Sequence, residues 1–168
     1  MQEYPLFKDE AHKHFLYTTL QENHIALDDK ERVAMFYVLG LMKEIRERIH
    51  LFYDSETDCI CPEVIKAPFQ TSGTLALTRL AFQLYNNFEE HRPRLLEDTS
   101  LYEAVLIDEE NYKYTDQCYT EFLKGQPYYY EYKTASVIDI FCVLDKQYVP
   151  FLFQAILLRL GMSSLEAL

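Results

Sequence analysis

Glycine is scarce in this chain: four among 168 residues, Gly40, Gly73, Gly125 and Gly161, each standing alone. A phosphate cradle needs glycines in a cluster, so neither a Walker loop nor a dinucleotide fingerprint can be built here. The sequence also contains no G-x-S-x-G and no H-E-x-x-H, which removes the common hydrolase and zinc-peptidase signatures. Cysteine is limited to Cys59, Cys61, Cys118 and Cys142. The first two form C-x-C rather than C-x-x-C, and no second pair at matching spacing completes a zinc site. The expectation is therefore reduced, mostly buried thiols, with no metal and no cofactor. Basic residues are outnumbered, 16 against 27 acidic, and no basic run exceeds two. Direct binding to nucleic acid or to anionic lipid is disfavoured by that balance. The longest apolar run, Val149 to Leu160, is shorter than the ~20 residues a membrane helix needs and contains Gln154 and Arg159. The opening residues, MQEYPLFKDE, carry neither the basic start nor the apolar centre of an export signal. Together these features lead us to expect a cytoplasmic protein.

What is present is an ordinary globular composition, 49% hydrophobic and 26% charged, at a net charge of −11. The length suits one domain over residues 1–168. The charge is unevenly spread. Residues 97–133 hold nine acidic and three basic side chains, more than half of the net charge. The same stretch holds eight of the 14 tyrosines. Tyrosine offers rigid contact area at low entropic cost, and interleaved carboxylates attract a basic surface. Glu103, Asp108, Glu109, Glu110, Tyr112, Tyr114, Asp116, Tyr119, Tyr128, Tyr129 and Tyr130 are thus the candidate partner-binding residues. The competing reading is a solvated loop and helix with half-buried rings.

Elsewhere the pattern is helical. Asp9 can cap a helix to about Asn23, with Ala11, Phe15 and Leu20 inward. Asp28 and Glu31 match a capping box opening a helix through Val33, Phe36 and Tyr37. Past Gly40, the residues Met42, Ile45, Ile49 and Phe52 form a core stripe if helix continues to Tyr53. Residues 54–70 read as a loop with Pro62 and Pro68. A cap around Thr71 starts a strong, largely apolar helix from about Thr74 to Phe88, which places it centrally. Pro93 breaks the chain, Tyr128–Lys133 has strand propensity, Ser136 caps a short helix, and Pro150 opens a last helix closed by Gly161. That last helix is apolar nearly all round, so it is either buried or a homodimer seam through residues 149–160. The fold class expected is mainly α: one compact domain of five to seven helices, with room for a small hairpin within 97–133.

Three polar patterns are candidate sites. Glu47 and His50 make a single E-x-x-H, but di-iron bundles need two copies, so this is read as a solvated face. His12 and His14 lie two apart and point away from each other, so neither is half of a ligand pair. Arg79 lies on the central helix with Gln83 and Asn86, and would need a partner, for which Asp54, Asp58 and Glu63 are candidates. A structural ion pair is one outcome. The other is a small polar site made by Asp54, Gln70 and Arg79, used by a ligand binder or an enzyme.

The runs Asp58-Cys59-Ile60-Cys61-Pro62-Glu63 and Gln70-Thr71-Ser72-Gly73-Thr74 … Thr78-Arg79-Leu80-Ala81-Phe82, with Phe36-Tyr37, Leu39-Gly40 and the closing stretch from Phe141 to Arg159, carry a resemblance. Over residues 7–88 and about 134–160 the chain resembles a family of small bacterial proteins of unknown function, often encoded on phages and other mobile elements. Typical members pass quickly from the Asn86 region to the last helices, whereas here roughly 45 residues intervene. No catalytic residues are established for the family, so none transfer. The resemblance implies a mobile-element origin. Such elements carry small inhibitors of host defence, anti-CRISPR proteins among them. The leading expectation is a non-enzymatic, acidic protein-binding module of that kind, imitating nucleic acid on a basic protein surface. A ligand binder or enzyme using the 54–74 loop, and a homo-oligomeric structural component, are the alternatives.

Overall fold

A computed structural model describes residues 6–88, 90–95, 128–133, 136–163 and 165. The fold is mainly α. Among the described residues the helices are α1 (Glu10–Glu22), α2 (Lys30–Leu39), α3 (Lys43–Arg46), α4 (Ser72–Asn86), α5 (Val137–Val143) and α6 (Val149–Leu160). Two antiparallel ribbons accompany them: β1 (Tyr53–Asp54) with β2 (Cys59–Ile60), and β3 (Glu90–Leu95) with β4 (Tyr128–Lys133). Residues 1–88 with 135–168 form one compact unit and residues 89–134 another.

The first unit is built around α2, which packs against α1, α4 and α6. Its residues from Val33 to Leu39 are all buried, so beyond its exposed first turn this helix has no wet face. Such a helix gains its stability from burial, since no amphipathic stripe remains to be solvated. Around it lie Leu16, Leu20, Ile45, Phe52, Leu77, Leu80, Phe82 and Leu152, each at most 2% exposed. The caps follow the chemistry of the sequence. Thr71 Oγ1 accepts the Thr74 N–H while Thr74 Oγ1 accepts the Thr71 N–H, a reciprocal box that starts α4. Ser136 Oγ caps α5, and Pro150 opens α6. Gly161 closes α6 at φ +70°, a left-handed backbone that side chains rarely adopt.

Several expectations are corrected. Asp29 rather than Asp28 caps α2, because its carboxylate takes both the Arg32 N–H and the Arg32 guanidinium. Ala11 is exposed on α1. The inward set is His12, Leu16, Thr19 and Leu20, an i, i+4, i+7, i+8 stripe. Helix does not run on from Leu41 to Tyr53. Met42 is extended at φ −116°, α3 spans one turn, and a 3₁₀ turn follows over Ile49–Leu51. The Gly40 carbonyl is taken by the Arg46 guanidinium at 2.7 Å, a substitute for continued helical pairing. Ile45 and Phe52 are buried all the same, since core demand outlasts the helical period. The 54–70 segment is not a plain loop: it holds the β1–β2 ribbon and a 3₁₀ turn over Pro62–Lys66.

In the second unit the strand at Tyr128–Lys133 is present, but its partner precedes the 97–133 stretch. Pro93 sits within β3 opposite Tyr130 instead of breaking the chain. A two-stranded ribbon has only edge strands, where a proline nitrogen facing outward removes no ladder bond.

Candidate functional site

Of the partner-binding candidates, Glu103, Asp108, Glu109, Glu110, Tyr112, Tyr114, Asp116 and Tyr119 lie outside the described residues. The register of the second ribbon places Tyr128, Tyr129 and Tyr130 opposite Leu95, Arg94 and Pro93. Residues 89–134 carry eleven acidic and five basic side chains, net −6, against −5 for the other 122 residues.

In the second candidate set, Asp54 and Gln70 each make bonds of their own. Asp54 ends β1, and its carboxylate accepts the Glu56 N–H at 2.9 Å and the Thr57 hydroxyl at 2.7 Å. Those two bonds, the Thr57 hydroxyl first, hold its carboxyl below the usual range. The Gln70 amide nitrogen donates to the Val64 carbonyl at 3.1 Å and to Thr78 Oγ1 at 3.3 Å. Its carbonyl oxygen is buried with no hydrogen-bond partner among the described residues. Arg79 is half-buried on α4. Asp58, one of its suggested counter-ions, makes its ion pair with Arg32.

Arg32 organises a polar knot that pattern reading did not single out. Its Nε donates to Asp58 Oδ1 at 3.1 Å and reaches Tyr53 Oη at 3.4 Å, while Nη1 meets Asp29 Oδ2 at 2.6 Å. Its Nη2 bonds Asp58 Oδ2, the Tyr53 hydroxyl donates to Asp58 Oδ1, and the Tyr85 hydroxyl donates to the Asp58 carbonyl at 3.2 Å. The guanidinium lies 5.6 Å from the Tyr85 ring centroid, a cation–π distance. Asp58 is held at φ +57°, a left-handed conformation that aspartate tolerates better than most residues. Burial first, and then the Asp58 carboxylate, push the Tyr53 phenol up to about 12. The Tyr53 hydroxyl, and then Arg32, hold the Asp58 carboxyl down. The knot ties α2 to the β1–β2 ribbon and α4. Both carboxylates already serve the one cation, so its chemistry is structural. Asp58→Asn should bring the Tyr53 phenol partway back toward its ordinary value, read by tyrosine ring-carbon NMR against pH. It should cost less than about 1 kcal/mol, because Asp58 is more than half exposed.

A second polar cluster surrounds His12, which is fully buried. Its Nε2 lies 2.8 Å from the Tyr37 carbonyl, and its Nδ1 accepts the Lys8 N–H at 3.3 Å. Burial, above all, lowers this imidazole to about 4. Its signal in the sequence was the helical spacing with Leu16, Thr19 and Leu20, hidden by aligning the wheel on Ala11 and Phe15.

The thiols differ from expectation: Cys59 and Cys142 are exposed and Cys61 is half-buried, all free. Cys118 lies outside the described residues. Glu47 and His50 are exposed, with Glu47 within 3.5 Å of Lys43 and 3.9 Å of Arg48. Among the described residues no group of three His, Cys, Asp or Glu could hold a metal ion. On α6, Leu152, Ala155 and Leu158 are buried while Phe153 and Leu160 are 57% and 62% exposed. No helix among the described residues is long and apolar enough to cross a membrane.

No curated protein and no solved structure matches the chain. Residues 2–166 match the model of a family of unknown function, a span that takes in both compact units. The chain belongs to that family, DUF6075.

Proposed function

We propose that this protein is a non-enzymatic binding module whose acidic, tyrosine-rich segment docks on a basic, nucleic-acid-binding surface of another protein. One observation carries the reading: residues 89–134 form a compact unit of their own and hold more than half of the net charge. Carboxylates stand in for phosphates, and phenol rings occupy places where bases stack. Acting this way, the module is an inhibitor carried by a mobile element against a host defence nucleoprotein, of the anti-CRISPR kind. A homodimer through residues 149–160 is compatible with the outward Phe153 and Leu160.

The test uses the intact chain as bait in host extract, with and without double-stranded DNA as competitor. A captured partner should be displaced by the DNA and lost as salt rises toward about 0.5 M, where the Debye length falls below about 5 Å. The triple variant Asp108→Asn, Glu109→Gln, Glu110→Gln should weaken capture at least about tenfold, roughly 1.4 kcal/mol. Capture that survives both the competitor and the triple variant overturns the proposal.

A further inference from the structure

Residues Leu6–Asp9 cross the helical body as a strap, fastened at several points by side chains of other elements. The Leu6 N–H donates to Gln154 Oε1 on α6 at 3.4 Å, and the Tyr37 hydroxyl of α2 donates to the Leu6 carbonyl. Phe7 packs against the rings of His12, Tyr17 and Tyr37. The Lys8 N–H donates to His12 Nδ1 at 3.3 Å. The Lys8 ammonium donates to the Leu41 carbonyl at 3.0 Å and to the Tyr148 hydroxyl at 3.3 Å.

His12 is the fastening that can change sign. The Lys8 N–H needs a lone pair on Nδ1, so the ring proton sits on Nε2 and is donated to Tyr37. A second proton turns Nδ1 into a donor facing another donor. Burial opposes the change most, and Lys8 on the strap and Arg46 on α3, both cations, oppose it too; the Tyr37 carbonyl and Asp9, at the start of α1, favour the charge without offsetting burial. Tyr37 from α2 presents its carbonyl to Nε2 and its ring edge at 4.6 Å, and its own phenol stays neutral because burial raises it. Nor can the ring move away: Gly40 packs so closely that a Cβ there would stand 2.8 Å from His12 Cδ2.

We propose that His12 is an acid-operated latch, whose protonation releases the Leu6–Asp9 strap from α2 and α6 while the helical core stays folded. The opened state uncovers the Tyr37 hydroxyl, the Leu41 carbonyl and the Gln154 side chain.

Amide exchange of the intact protein, followed residue by residue, tests this. The Leu6 and Lys8 amides should lose protection by about tenfold for each pH unit between 6.5 and about 4, while Val38 and Leu80 remain protected. Strap protection that does not change over this range overturns the proposal. So does protection lost only together with the core amides. His12→Asn keeps an acceptor for the Lys8 N–H but cannot titrate, and should abolish the pH dependence. If the dependence persists in that variant, His12 is not the trigger. Should the variant fail to fold, the wild-type exchange profile decides alone.

Discussion

Phe82→Ala is expected to destabilise the helical body by about 3–5 kcal/mol. The ring is fully buried on α4 and meets Phe88 edge-on at 5.6 Å. The helix packs against both α2 and α5, so two neighbours would have to move to refill the space. Interiors this dense relax only in part, and the residual cavity adds to the lost transfer energy. Domains of this size hold about 5–15 kcal/mol in all, so the variant should sit close to its folding threshold. Urea denaturation monitored by far-ultraviolet circular dichroism measures it. A loss below about 1 kcal/mol would mean that the α2–α4 seam closes around the gap.

Gly40→Ala should also destabilise, by about 1–3 kcal/mol, against the usual trend for glycine at a helical backbone. Gly40 has φ −71° and ψ −12°, a conformation any L residue adopts. On backbone grounds alanine would add about 0.4–1 kcal/mol by restricting the unfolded chain. Space decides the sign. A Cβ would lie 2.6 Å from Phe15 Cδ1 and 2.8 Å from His12 Cδ2. Neither atom is the tip of a flexible chain: one belongs to a packed ring, and the other to an imidazole held at both nitrogens. The strain should spread to α1 and to the Tyr37 carbonyl. Thermal denaturation of wild type and variant measures it, and a raised midpoint would show that α1 moves aside freely.

The sequence announced the elements whose ends are made by local chemistry. Thr71, Ser136, Pro150 and Gly161 open or close helices where short-range rules put them, because a cap needs only the next three residues. The stripe Met42, Ile45, Ile49 and Phe52 holds two core residues, Ile45 and Phe52, and two partly buried ones packed against the core, but implied a helix that is broken. Burial depends on where a side chain ends up, and two short turns can deliver it as well as one long helix. The knot around Arg32 was not legible: it joins residues 26 and 53 positions apart through side chains that each look like ordinary surface charge. His12 failed for a related reason. Histidine is a middling residue on any burial scale, and only the positions of Leu16, Thr19 and Leu20 mark it as inward. By sequence Pro93 reads as a breaker, because the strand context that excuses it comes from residues 128–133, far along the chain. The candidate polar site at Asp54, Gln70 and Arg79 rested on nearness in sequence, whereas Asp54 and Gln70 each serve their own turn.

The second ribbon has a consequence for how such a chain can diversify. Glu90 and Lys133 are register partners, so the backbone leaves and rejoins at nearly the same point, on the order of 5 Å apart. Whatever lies between can be lengthened, shortened or exchanged as a cassette, because closing the gap requires only a hairpin turn. Selection for new recognition can then rewrite the interior of the cassette while the host scaffold keeps its sequence.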